Sequence, residues 1–178
     1  MRLVLLCVTI FFSTTSFGQY YYNDVVANSL SNQQFKLLKQ ARVKKIQAIS
    51  YDANGDITKG FTIEQELSAD FRRSIINTIL TNNTNSVLTI TYENNRVKET
   101  VDINHKVETS TTFNYNDNGL LVTITSSTSD TAVKAISNEV HIWSYNATNQ
   151  PKLLQKIKNK TDTTSVTFLF FVIMLVDY

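Results

Sequence analysis

The chain has 178 residues, a single cysteine, four glycines and a formal net charge of +2 at pH 7. So small a charge gives no basic field for nucleic acid. One cysteine supports neither a disulfide framework nor a cysteine metal centre, and four glycines leave none for a phosphate-cradling loop once the turns are served.

Arg2 is followed by the apolar run Leu3 to Phe12 and then by small and polar residues, Ser13 to Gly18. This is the order of a secretory leader, so residues 1–18 are read as a signal peptide cleaved after Gly18. The apolar run is well short of the ~20 residues that a spanning helix needs. Cys7 lies inside it without small residues before it, so lipidation is not expected. The exported chain, residues 19–178, then has no thiol, and losing Arg2 brings its cations and its 15 acidic residues almost into balance. It is expected in the periplasm, at the cell surface or outside the cell, stabilised by its own core.

Residues 19–42 form an N-terminal segment that opens on an aromatic patch, Gln19 to Asp24. Leu30, Leu37, Leu38 and Ala41 follow at helical spacing, with Ser29 or Ser31 as N-cap, which predicts one short amphipathic helix. From Val43 to the end, residues 43–178, the period falls to two. Ile57, Phe61, Ile63 and Leu67 alternate with polar residues, as do Val97, Val101 and Ile103, and Val107, Phe113 and Tyr115. Such alternation marks hairpins with one wet face. Residues 69–81 fit either a strand or a helix capped by Ser68, and the hairpin rhythm favours a strand. Ser126 to Asn138 has no period and reads as a long hairpin loop. Glu139 to Tyr145, Lys152 to Lys158 and Ser165 to Phe171 complete about nine strands. The apolar run Val166 to Val176 is read as a buried last strand, with a truncated end as the alternative.

The corners between strands recur. Tyr51-Asp52-Ala53-Asn54-Gly55-Asp56-Ile57-Thr58 closes one run on a tyrosine and turns on Asn54-Gly55, a pair suited to the two positive-φ sites of a type I′ turn. Looser copies stand at Tyr92, at Tyr115 with Asn118-Gly119, and at Tyr145. Their spacing suits a repeat of about 20 residues with insertions. The Tyr51 octet resembles the YD repeat of Rhs-type secreted and cell-surface proteins, and the chain as a whole resembles small secreted bacterial proteins with degenerate repeats of that kind. The resemblance implies an exported array of strands with a binding surface, and no reaction.

No residue pattern points to catalysis, a metal or a cofactor. Asp52, Asn54 and Asp56 alternate like calcium ligands, but Ile57 and Ile63 stand where such a loop needs Gly and Glu. His105 and His141 are isolated, and read as strand or turn residues. Glu64 and Glu66 share a face that solvent explains. The aromatic set His141, Trp143 and Tyr145 would line one face of a strand and is the candidate ligand platform. The expectation is a mainly β, antiparallel meander with a short N-terminal helix, serving as a non-enzymatic structural or binding module for a glycan, a peptide or an envelope partner. A carrier of an apolar ligand, lined by the faces of Ile57 to Leu67 and Val97 to Ile103, is the alternative.

Overall fold

The computed structural model describes residues 17–82 and 84–169. Most of the expected leader, residues 1–16, and the end of the apolar run, residues 170–178, fall outside that range. Helix α1 (Phe17–Gln40) precedes ten strands: β1 (Lys45–Ala48), β2 (Thr62–Leu67), β3 (Arg73–Ile79), β4 (Asn85–Glu93), β5 (Arg96–Asn104), β6 (Val107–Tyr115), β7 (Leu121–Asp130), β8 (Ala135–Tyr145), β9 (Pro151–Lys158) and β10 (Asp162–Thr167). Each pairs antiparallel with its chain neighbours, in the order β1 to β10, so the sheet is one open meander. Residues 73–79 are a strand, as the hairpin rhythm favours.

The segment read as a long loop is instead the arms of β7 and β8, which leave only residues 131–134 between them. Threonine and serine suit a strand, and here they bond across it: Thr109 to Thr128 at 3.1 Å and Thr111 to Ser126 at 2.9 Å.

Helix α1 lies across one face of the sheet, here called the inner face, near the end where the β4–β5, β6–β7 and β8–β9 corners turn. It is 24 residues long, well beyond the short helix expected, and it is turned differently. Leu30 and Leu37, which define the expected apolar stripe, are 59% and 65% exposed. The stripe that faces the sheet is Asp24, Asn28, Asn32 and Phe35, at helical spacing. Phe35 is 2% exposed and stacks on Tyr92, ring centroids 3.7 Å apart. The helix ends in a Schellman-type cap, with Arg42 at φ 54° in the place usually taken by glycine and the Val43 N–H bonded to Leu38 O.

Every buried apolar residue of the sheet stands on that inner face: Leu67, Tyr92, Val97, Leu121, Ile124, Trp143 and Leu154. The alternation that leads there is interrupted three times. Tyr92, Tyr115 and Tyr145 pair with Val97, Leu121 and Pro151, and in each case the next rung skips one residue of the partner strand: Lys98, Val122 or Lys152. These are β-bulges, and each reverses the parity of its strand. Val97 is thus buried under α1, whereas Ile103, expected on the same face, is 44% exposed on the other. The apolar lining required for a carrier is divided between two faces by that single extra residue.

Candidate functional site

The corners carry the site, and they are of two kinds. In the 115–121 and 145–151 corners Asn116 and Asn146 each take a backbone N–H from four residues on into the side-chain oxygen, and each main-chain N–H reaches the carbonyl four residues on. Asp52 does the same in the Tyr51 octet. Only an Oδ1 acceptor is needed, so Asp and Asn serve equally. A single residue in each takes positive φ: Gly55, Gly119 and Asn149. Asn54 does not, so Asn54-Gly55 is not a type I′ pair. Two consecutive positive-φ residues, as such a turn requires, occur at the Tyr92 corner instead, Asn94 and Asn95, and again at Asn159 and Lys160 between β9 and β10. Asn118 lies in an exposed turn, while Gly119 is required by its φ of 79°; a Cβ there would meet only the movable Arg96 guanidinium.

The Tyr51 octet matches the repeat best by residue and contributes least to the fold. Tyr51 makes an isolated bridge to Ile57 in the exposed β1–β2 connection, at the opposite end of the sheet from the other three corners. Those three point their tyrosines under α1. The Tyr145 hydroxyl donates to Leu121 O at 2.6 Å, and the Tyr115 hydroxyl to Val97 O at 2.8 Å, so each reaches the residue opposite the preceding tyrosine. Around Tyr115 the bonds close a circuit. The Val97 N–H donates to Asn32 Oδ1 at 2.8 Å, Asn32 Nδ2 to Asn28 Oδ1 at 3.0 Å, and Asn28 Nδ2 to the Tyr115 hydroxyl at 2.9 Å. The bulge frees the Val97 N–H and carbonyl from the ladder, and the helix supplies amides to meet them.

The aromatic platform read from the sequence lies on this covered face. His141, Trp143 and Tyr145 do share a side of β8. Trp143 is 3% exposed, stacks against Phe168, and its indole N–H has no acceptor among the described residues. Burial pushes the Tyr145 hydroxyl up to about 12. His141 pins the helix: its Nδ1 lies 2.5 Å from Asp24 Oδ2 and its Nε2 contacts Glu139, whose carboxylate also meets Lys156 at 3.3 Å. With a carboxylate on each ring nitrogen the imidazole is held as the cation, since a neutral ring would turn a lone pair toward one of them.

Burial lowers the His141 pKa and the hydrogen bonds to Asp24 and Glu139 raise it, with a net result above 6.5; the Glu139 pKa falls below 4.5, chiefly through its bond to His141. The histidine's contribution to stability is complete below 6.5 and is lost as pH rises through its higher folded pKa, whereas that of Glu139 is complete above 4.5 and is lost as pH falls. The melting temperature of the intact protein is therefore expected to peak between those values, and His141→Leu to abolish the alkaline fall. An unchanged alkaline limb in that variant, followed by scanning calorimetry, would rule the latch out.

The third tyrosine differs from its two counterparts. Tyr92 is 8% exposed; its backbone N–H bonds to Arg72 O at 2.9 Å, but its hydroxyl has no hydrogen-bond partner among the described residues. Burial pushes its hydroxyl up to about 12. It lines an open cleft of about 710 Å³ between the C-terminal part of α1, the β2–β3 loop and the β4–β5 corner. Lys39, Arg72 and Lys98 supply donors there, Asp70 and Glu93 acceptors, and Asn94 and Asn95 both.

Phe71, also in the wall, is held at φ 56° with Lys44 Nζ 3.3 Å above its ring, while Lys44 donates to Ser68 O and Ala69 O. Phe71, Asn94 and Asn95 place three non-glycine residues of left-handed conformation in one wall, two of them the central pair of the β4–β5 turn. Asp70 accepts from Ser68 Oγ at 2.7 Å, which holds its carboxyl below the usual range. Sequence reading singles out Tyr92 as a turn residue only; the signal that it differs is Glu93 directly after it, where Asn116 and Asn146 follow the other two tyrosines and hold their longer corners through the side-chain oxygen. No family model, no curated protein and no solved structure matches the chain.

Proposed function

We propose that the protein is an exported, non-enzymatic binding module that holds a saccharide in the cleft beside Tyr92. The observation that carries this reading is the Tyr92 hydroxyl, which reaches the cleft without a partner among the described residues while its two counterparts bond to backbone. A hydroxyl-rich ligand meets mixed donors and acceptors on both counts, because each sugar hydroxyl both gives and takes. The cleft is open along one side, which suits an oligosaccharide chain. Asp70, held below the usual carboxylate range by its bond from Ser68, is a poor general acid. Export rests on the leader-like order of residues 1–18, and the YD-like corners supply the scaffold.

An array of neutral oligosaccharides followed by calorimetric titration tests this. Asn95→Gly keeps the left-handed backbone while removing the side chain, and Arg72→Gln removes one cation. Each is expected to weaken binding by about 5- to 10-fold, the equivalent of one hydrogen bond, with melting unchanged. If no oligosaccharide binds, or if both variants bind as tightly as the parent, the reading is wrong.

A further inference from the structure

We propose that two copies of this chain associate face to face through the outer face of strands β7 to β10. The inner face holds every buried apolar residue of the sheet, and the outer face holds none. Yet from β7 to β10 each outward position is Ser, Thr, Asn, Gln, Ile, Val or Leu, without one charge. From β1 to β6 the same face carries Glu64, Glu66, Arg73, Glu99 and Glu108.

The neutral half is ordered as an interface is. One row across the strands reads Thr125, Val140, Ile157, Thr163, so aliphatic residues of β8 and β9 form a core between hydroxyl-bearing rims on β7 and β10. Ile142 and Leu153 extend that core. A twofold axis parallel to the strands, between β8 and β9 and midway between two sheets, lays β8 of one copy over β9 of the other and β7 over β10. Core then meets core and rim meets rim, as an isologous contact requires.

A patch that meets itself must place every charge against an opposite one across the axis, and this half of the face has none to place. It also has no aromatic side chain for a sugar and no cation for an anionic surface, which leaves a second copy as the occupant that its chemistry fits. Four strands about 4.8 Å apart, each offering about eight residues at 3.3 Å, cover roughly 500 Å² per copy. That is about the least a specific interface buries, so a micromolar dimer is expected.

Sedimentation velocity of the full chain from roughly 1 to 200 μM tests the proposal. The expected result is a monomer–dimer equilibrium weakened by about tenfold or more in Ile142→Glu. Thr125→Lys, on the rim and half-exposed, is expected to do the same and decides the matter if the first variant does not fold. Thr89→Lys, on the charged half, leaves the equilibrium as it was. A parent chain that stays monomeric throughout, or a dimer indifferent to both interface variants, overturns the proposal. So does a monomer that instead co-sediments with zwitterionic vesicles, which would assign the face to a bilayer.

Discussion

Replacing Phe35 by alanine is expected to lower the unfolding free energy by about 3–5 kcal/mol, the range for deleting a fully buried aromatic side chain. Among the described residues Phe35 is the one buried apolar residue of α1, and it sits against Leu67, Tyr92 and Val97, with Leu38, Phe71, Ile90 and Phe113 around them. Its ring fills the space over Tyr92, which no neighbouring side chain can close, because the helix is fixed at its other end by the contacts of Asn28 and Asp24. The control is on the same helix. Leu37→Ala, at an exposed position, is expected to change stability by no more than about 0.5 kcal/mol. Urea unfolding of the two variants separates them, and a larger loss for Leu37 than for Phe35 would show the helix to be turned as its leucine spacing first suggests.

Asn32→Ala is expected to cost about 1–3 kcal/mol, because it leaves the Val97 N–H under the helix without an acceptor. Tyr115→Phe opens the same circuit at the Val97 carbonyl and at Asn28, and is expected to cost a similar amount. Once the circuit is open, its remaining members can turn to water, so the double variant should lose less than the two single losses together. Additive losses in a double-mutant cycle would mean that the four hydrogen bonds are independent.

These side chains also explain which parts of the fold can be read from sequence. The hairpins are legible because alternation and asparagine-rich corners are local signals, and both survive in the structure. The helix register is not, since the stripe turned to the sheet includes Asn28 and Asn32, residues that a hydropathy pattern assigns to solvent. They face the sheet because the bulges beneath them expose backbone groups that need partners, and a bulge is one extra residue with no sequence mark of its own. Lys98 illustrates the cost: a period-two reading carried across it puts Val101 and Ile103 under the helix when they face away. The β7–β8 arms escape notice because both of their faces are wet beyond the helix, so no contrast between faces exists. Of the site, the tyrosine corners are legible and the cleft is not, because the difference that matters, what the Tyr92 hydroxyl meets, is no local property of that residue.

That difference is the centre of the functional reading, and Tyr92→Phe tests it in one protein. The variant is expected to be as stable as the parent, within about 0.5 kcal/mol, since no protein hydrogen bond is lost, and to bind oligosaccharide about 5- to 10-fold more weakly. A variant that is markedly less stable, or one that binds saccharide as well as the parent, would contradict that reading.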